Sequence, residues 1–166
     1  MYYCGCRPGE AIALIGKDIG KDGLLHIRGT KTVNADRYVP IPPVLYAKIK
    51  NTPPFAPIAS NKAGKPFDES SYDRRVNSLK RALNISMGCR TYRNELVPPY
   101  PLAEDFVPYC LRHTYCTNLA RAGVDIRTAQ KLMGHANISM TADIYTHVDV
   151  DDIRKAADLI QAYYEN

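Results

Sequence analysis

Between residues 109 and 147 the sequence divides into three short amphipathic stretches. Leu111, Tyr115 and Leu119 form one apolar stripe, which predicts a helix from about Leu111 to Ala122. Gly123 follows, where a left-handed C-terminal cap needs a residue without a β-carbon. Asp125 is placed to cap a second helix, with Val124 and Ala129 as a hydrophobic staple and Ile126, Ala129, Leu132 and Met133 at helical spacing. Gly134 ends that helix and His135 sits just past it. Ser139 is placed to cap a third helix, with Met140, Ile144 and Val148 inward. Arg112, His135 and Tyr145 therefore stand beside apolar stripes or at helix ends. A guanidinium is a planar fork that fits two phosphate oxygens, an imidazole adds a hydrogen bond, and a phenol is a nucleophile able to attack phosphorus.

The order and spacing of Leu111-Arg112-His113-Thr114, Met133-Gly134-His135 and Ile144-Tyr145-Thr146-His147 resemble the second arginine box, histidine box and nucleophile box of the tyrosine recombinase (phage integrase) family. Upstream, Gly5-Cys6-Arg7-Pro8-Gly9-Glu10 is similar to that family's first arginine box. Thr30-Lys31-Thr32 and Arg37-Tyr38-Val39-Pro40-Ile41 look like its hairpin elements. The resemblance implies a mainly α (α+β) fold, the helical catalytic domain of tyrosine recombinases, with a small antiparallel β-sheet near the N-terminus. It implies site-specific cleavage and rejoining of double-stranded DNA through a covalent 3′-phosphotyrosyl intermediate, by a homo-oligomer (dimer or tetramer) on DNA. In it Arg7 and Arg112 clamp the scissile phosphate, His135 adds a hydrogen bond or helps take the phenol proton, and Tyr145 attacks. Lys31 gives a proton to the leaving oxygen, and Glu10 is structural, holding an arginine or a backbone group. The resemblance implies no cofactor and no metal.

Two departures stand out. The family usually has a histidine three residues before the second arginine; here it is Tyr109, a hydrogen-bond donor but a poor base at neutral pH. The sequence also opens almost directly on the first arginine box. The expectation is a single catalytic domain, 1–166, lacking its first helices and the N-terminal DNA-clamping domain, with apolar surface left exposed.

The remaining residues position this site. Pro8 suits the first turn of a helix that sends Ile12 and Leu14 into a core. Lys21-Asp22-Gly23 is a turn before two strands, Leu24 to Arg28 and Arg37 to Ile41, with Leu25, Ile27, Val39 and Ile41 on the buried face. A short helix, Val44 to Ile49, precedes the Pro-rich loop or spacer at 53–57. Ser70 or Ser71 is placed to cap a helix from about Tyr72 to Ala82 carrying Arg74 and Arg75, either a solvated face or a DNA contact. Residues 89–94 read as a strand or an exposed arm, with Arg90 and Arg93 as further candidates for phosphates. Residues 151–164 follow a helical period through Ile153, Ala156, Ala157, Ile160 and Tyr164, packed either on the core or on a neighbouring subunit.

Composition limits the alternatives. At 166 residues the chain makes one well-buried domain, not two. A net charge of +5 is compatible with nucleic acid without demanding it. No long apolar run predicts a membrane span, and the first residues do not read as a signal peptide. Five cysteines without framework spacing fit a reducing cytoplasm with free thiols, and the family resemblance implies a bacterial or phage-encoded protein acting there. Residues 119–124 and the helix after them also read as helix-turn-helix. As an unrelated DNA-binding module that leaves Arg7, Lys31 and Tyr145 unexplained; as an alternative to catalysis it describes a catalytically weak or inactive DNA-binding fragment of an integrase. Cys4-x-Cys6 and Cys110-x-x-His113-x-x-Cys116 lack zinc-ribbon spacing and read as small buried cysteines.

Overall fold

The computed structural model describes residues 1–29, 33–61 and 63–145, and residues 154, 157, 158, 160, 161, 163 and 164 of the tail. Helix α1 (Pro8–Ala13) leads into strands β1 (Leu24–Ile27) and β2 (Arg37–Pro40). Helices α2 (Pro43–Ile49) and α3 (Glu69–Ser86) follow, then a hairpin of β3 (Arg90–Tyr92) and β4 (Glu95–Val97). Helices α4 (Tyr109–Arg121), α5 (Ile126–Met133) and α6 (Ser139–Tyr145) pack on one another.

Strands β1 and β2 pair antiparallel, with Leu25 opposite Val39 and Ile27 opposite Arg37. Alternation puts Leu25, Ile27 and Val39 inward, where they join Cys4, Cys6, Leu14, Ile41 and Ile49 in one core. Burying each large aliphatic side chain contributes about 1.5–3 kcal/mol. On the outer face His26 stacks on its cross-strand partner Tyr38, ring centroids 4.6 Å apart. The Pro-rich segment is a loop laid against the turn after α1: Gly16 and Lys17 donate to the carbonyls of Ala56 and Pro54.

Helix α3 begins earlier than its serines suggest. Asp68 is the cap: its carboxylate accepts from the Ser71 N–H at 2.7 Å, and the Ser71 hydroxyl accepts from the Asp68 N–H at 2.9 Å. This reciprocal pair satisfies two N–H groups at once, and the helix then runs on to Ser86. Residues 90–97 form a second small sheet, not an extended arm. Arg93 and Asn94 both have positive φ (45° and 63°), the two-residue turn whose twist matches paired strands.

Asp125 caps α5 through the N–H groups of Arg127 and Thr128. Gly123 and Gly134 both have positive φ where the helices end. Ser139 is the first residue of α6, and Asn137 accepts from its N–H at 3.1 Å. Met140 is half exposed, contrary to the periodic reading. The inward stripe is Thr141, Ile144 and Tyr145, because Thr141 is held by His135 and the other two pack on Tyr115, Cys116 and Met133. Val148, Lys31, Thr146 and His147 lie outside the described residues. No helix among the described residues is long and apolar enough to cross a membrane.

Candidate active site

The site is built on the Glu10 carboxylate. Glu10 sits at the third position of α1 and reaches back to accept the Arg7 N–H at 2.7 Å, which closes the first turn. The same carboxylate accepts from Arg7 Nη1 at 2.7 Å, and from Arg37 Nη1 and Nη2 at 3.1 and 2.9 Å. Arg112 Nη1 stands 4.0 Å from it. Burial works to raise the Glu10 pKa, but hydrogen bonds from Arg37 and from the Arg7 side chain and backbone outweigh it and bring it down to about 2.

The C-terminal end of α5 supplies the other half. A helix end leaves carbonyls without intrahelical donors and carries partial negative charge. Here three consecutive carbonyls are each taken by a different arginine: Leu132 by Arg37 Nε, Met133 by Arg112 Nη2 and Gly134 by Arg7 Nη2. Arg112 also donates to the Gly5 carbonyl, which ties the N-terminal segment to α4. Gly5 has φ +60°, and a β-carbon there would lie 2.4 Å from the Tyr115 ring, so this turn requires glycine. Gly134 has φ +63°, and a β-carbon there would meet Arg37 and the Asn34 carbonyl at 2.9 Å. Arg112 is fully buried, and its Nε has no acceptor among the described residues. Burial and the neighbouring Arg7 pull its pKa down, while Tyr109 beside it acts the other way.

The left-handed turn at Gly134 delivers His135 to the edge of this cluster. His135 is buried, with Nδ1 3.0 Å from Thr141 Oγ1 and its carbonyl accepting from Gln130 Nε2. Burial, then the charges of Arg112, Arg7 and Arg37, lower its pKa to about 4, so the ring is neutral at pH 7. A neutral imidazole offers one donor and one acceptor. Tyr109 begins α4, edge-on to His113 at 5.0 Å.

The structure thus brings Arg7, Arg112 and His135 together, with Tyr109 beside Arg112. Tyr145 packs on the Tyr115–Cys116–Met133 cluster, and its hydroxyl is buried with no partner among the described residues. Burial, then Cys116 and Asp125, push its pKa up to about 12. Exposed Arg74 and Arg75 lie on α3 and line a cavity of about 780 Å³ with Asp68 and Phe67. Exposed Arg90 and Arg93 lie on the hairpin, Arg93 over the Tyr92 ring. Sequence reasoning passed over Arg37, Gln130 and Thr141 as site residues. Arg37 carried a signal: it shares the inward face of β2 with Val39, and an arginine on a buried face needs an anion.

The sequence profile of the phage integrase family matches residues 1–151. The chain belongs to the phage integrase family. The tyrosine recombinase XerA of Thermococcus kodakarensis is 36% identical over 162 residues, covering 94% of this chain and 51% of the relative. The tyrosine recombinase XerC of Staphylococcus epidermidis is 29% identical over 158 residues, covering 93% and 49%. The chain spans about half the length of these relatives. The fold is shared with the Tn1549 transposon integrase in complex with circular intermediate DNA (TM-score 0.70, 24% identity, 96% of this chain and 57% of that one). It is shared also with XerA recombinase (TM-score 0.59, 23% identity, 95% and 54%).

In this integrase-family chain the two strongest pKa shifts in the cluster act together on stability. Folded Glu10 gives up its proton more readily than unfolded Glu10, so its contribution is present above 4.5 and lost as pH falls toward about 2. Folded His135 resists protonation, so the unfolded chain takes up that proton first, and stability drops from pH 6.5 down to about 4. Each withdraws roughly 3 kcal/mol. Urea midpoints should therefore fall steadily from pH 7 to pH 3; a flat profile would contradict both placements.

Proposed function

We propose that this chain cleaves and rejoins DNA strands, the chemical step of site-specific recombination, with Tyr145 as the nucleophile. A phosphodiester repels nucleophiles through its negative oxygens. Arg7 and Arg112 would bind the two non-bridging oxygens and stabilise the charge that grows as phosphorus becomes five-coordinate, each contributing about 2.7–4 kcal/mol. His135 adds a hydrogen bond; a ring with pKa about 4 suits that better than proton abstraction, and an arriving phosphate anion raises its basicity. Tyr109 donates one more hydrogen bond where the family usually has histidine. The Tyr145 oxygen–phosphorus bond forms as the bond to the 5′-oxygen breaks; the phenol proton passes to solvent water, and Lys31 protonates the leaving oxygen. The phosphotyrosyl ester conserves the bond energy, so rejoining needs no ATP.

The carrying observation is the set of three arginines on consecutive carbonyls of α5, with Glu10 between them and His135 next in the chain. The names of the similar proteins, tyrosine recombinases and a DNA-bound integrase, support the same reading. In this reading Tyr145 leaves its packing on Cys116 when DNA is bound. Ile160, Tyr163 and Tyr164 of the tail are helical and exposed, which supports packing on a second copy in a DNA-bound dimer or tetramer. The protein would act on double-stranded DNA in the cytoplasm.

The test is covalent capture. The chain is incubated with a nicked suicide duplex whose released strand cannot religate, and protein–DNA adducts are resolved on a denaturing gel. An adduct is expected; tight binding without one would leave a DNA-binding module only. Contacts from Arg7, Arg74, Arg75, Arg90, Arg93 and Arg112 to five phosphates, Arg7 and Arg112 sharing the scissile one, would give a log–log salt slope of about −4.5. Arg74→Ala should reduce that slope by about 1. A binding constant indifferent to salt would remove the phosphate contacts from the account.

A further inference from the structure

We infer that Arg37 is a positioning residue for strand cleavage: it holds the Glu10 carboxylate and the end of α5 in one rigid frame, so that Arg7, Arg112 and His135 meet a single phosphate. The inference rests on the strand-cleavage reading. Its basis is how the three guanidinium groups spend their N–H groups. Arginine has five. Arg37 uses four of them: Nε on Leu132, Nη1 on Ala35 and Glu10, and Nη2 on Glu10. Arg7 and Arg112 each use two among the described residues, which leaves donors for a phosphate. Arg37 is also buried, whereas the Arg7 side chain is one-third exposed. Arg112 is as deeply buried as Arg37, so it is the number of committed N–H groups, four against two, that makes Arg37 the holder of the frame and leaves the other two to bind.

The frame works through two geometric constraints. The fork of Arg37 meets both oxygens of Glu10 and fixes the plane of the carboxylate. Oε1 is then aimed at Arg7 Nη1 and Oε2 at the Arg7 N–H. The Nε contact on Leu132 anchors α5 just before Met133 and Gly134, the carbonyls that hold Arg112 and Arg7. A lysine keeps the charge but has no fork, and cannot span both Glu10 oxygens and the Leu132 carbonyl.

Arg37→Lys and Arg37→Met are compared with a control pair across the same sheet. Arg28, a partly exposed arginine, holds buried Asp18 at 2.9 Å, and Arg28→Met leaves a buried carboxylate unpaired without touching the cluster. At saturating duplex, adduct formation should fall about 10- to 100-fold in both Arg37 variants, with DNA affinity within about twofold of the parent. Arg28→Met should keep the parent rate. A second readout is the His135 ring, followed by NMR from pH 8 to pH 5. The charges acting on it are Arg112, Arg7, Arg37 and His113, and Asp36 and Lys131 line the same cavity. The ring should be flat across that range in the parent and in Arg28→Met, and begin to titrate within it in Arg37→Met. A parental rate in Arg37→Lys, or a flat His135 profile in Arg37→Met, overturns the inference. If the unmodified chain makes no adduct, the strand-cleavage reading falls, and the His135 profile alone then decides the placement of Arg37.

Discussion

Tyr145→Phe should form no covalent adduct with a nicked suicide duplex, while its DNA affinity stays within about twofold of the parent. Only one oxygen is removed, and it is the atom that would bond to phosphorus. The free protein should not suffer for the change. The Tyr145 hydroxyl is buried without a partner among the described residues, and replacing an unpaired buried polar group with an apolar one of the same shape is neutral or stabilising by about 1 kcal/mol. Thermal unfolding of Tyr145→Phe should thus occur at or slightly above the parental midpoint. Loss of the adduct together with a large drop in midpoint would point to a structural role instead. The buried state of this phenol also predicts slow chemistry on short DNA that engages the site without drawing Tyr145 out, because the hydroxyl packed beside Cys116 is not accessible to a phosphate.

Glu10→Ala carries the second large effect. Glu10 neutralises Arg37, which is buried, and holds Arg7 by both side chain and backbone. Removing it leaves an uncompensated buried cation, at a cost of about 3–5 kcal/mol. That is a large share of the total stability of a domain this size. Glu10→Gln preserves shape and some hydrogen bonds, so it should fall between Ala and the parent. Both should also lose adduct formation at temperatures where they remain folded, since Arg7 loses its guide. A urea-unfolding loss below about 1 kcal/mol in Glu10→Ala would show that the arginines do not depend on this carboxylate.

Much of the scaffold could be read from residue patterns because local physics decides it. Leu25, Ile27 and Val39 alternate on strands, Ile41 follows directly after β2, and all four are buried. Gly123, Asp125 and Gly134 mark helix ends by backbone geometry and capping, which depend on few neighbours. What stayed hidden depends on distant partners. Asp68 outcompetes nearby serines as a cap because its charge and reach satisfy the helix N-terminus better. Met140 fits an apolar period, yet the bond between His135 and Thr141 turns α6 so that Met140 faces solvent. The Arg37–Glu10 pair joins residues 27 positions apart, and its partner carbonyl at Leu132 is 95 positions away. The family boxes marked Arg7, Arg112 and His135 as one site, but not the helix end that gathers them.

The trapped protein–DNA complex offers the most direct measurement. Digesting it with a protease and sequencing the peptide that carries DNA identifies the attacking residue without any substitution. The expected peptide contains Tyr145 as the modified residue. DNA on any other side chain, Tyr109 included, would contradict a site in which Arg7, Arg112 and His135 surround a phosphate for attack from α6.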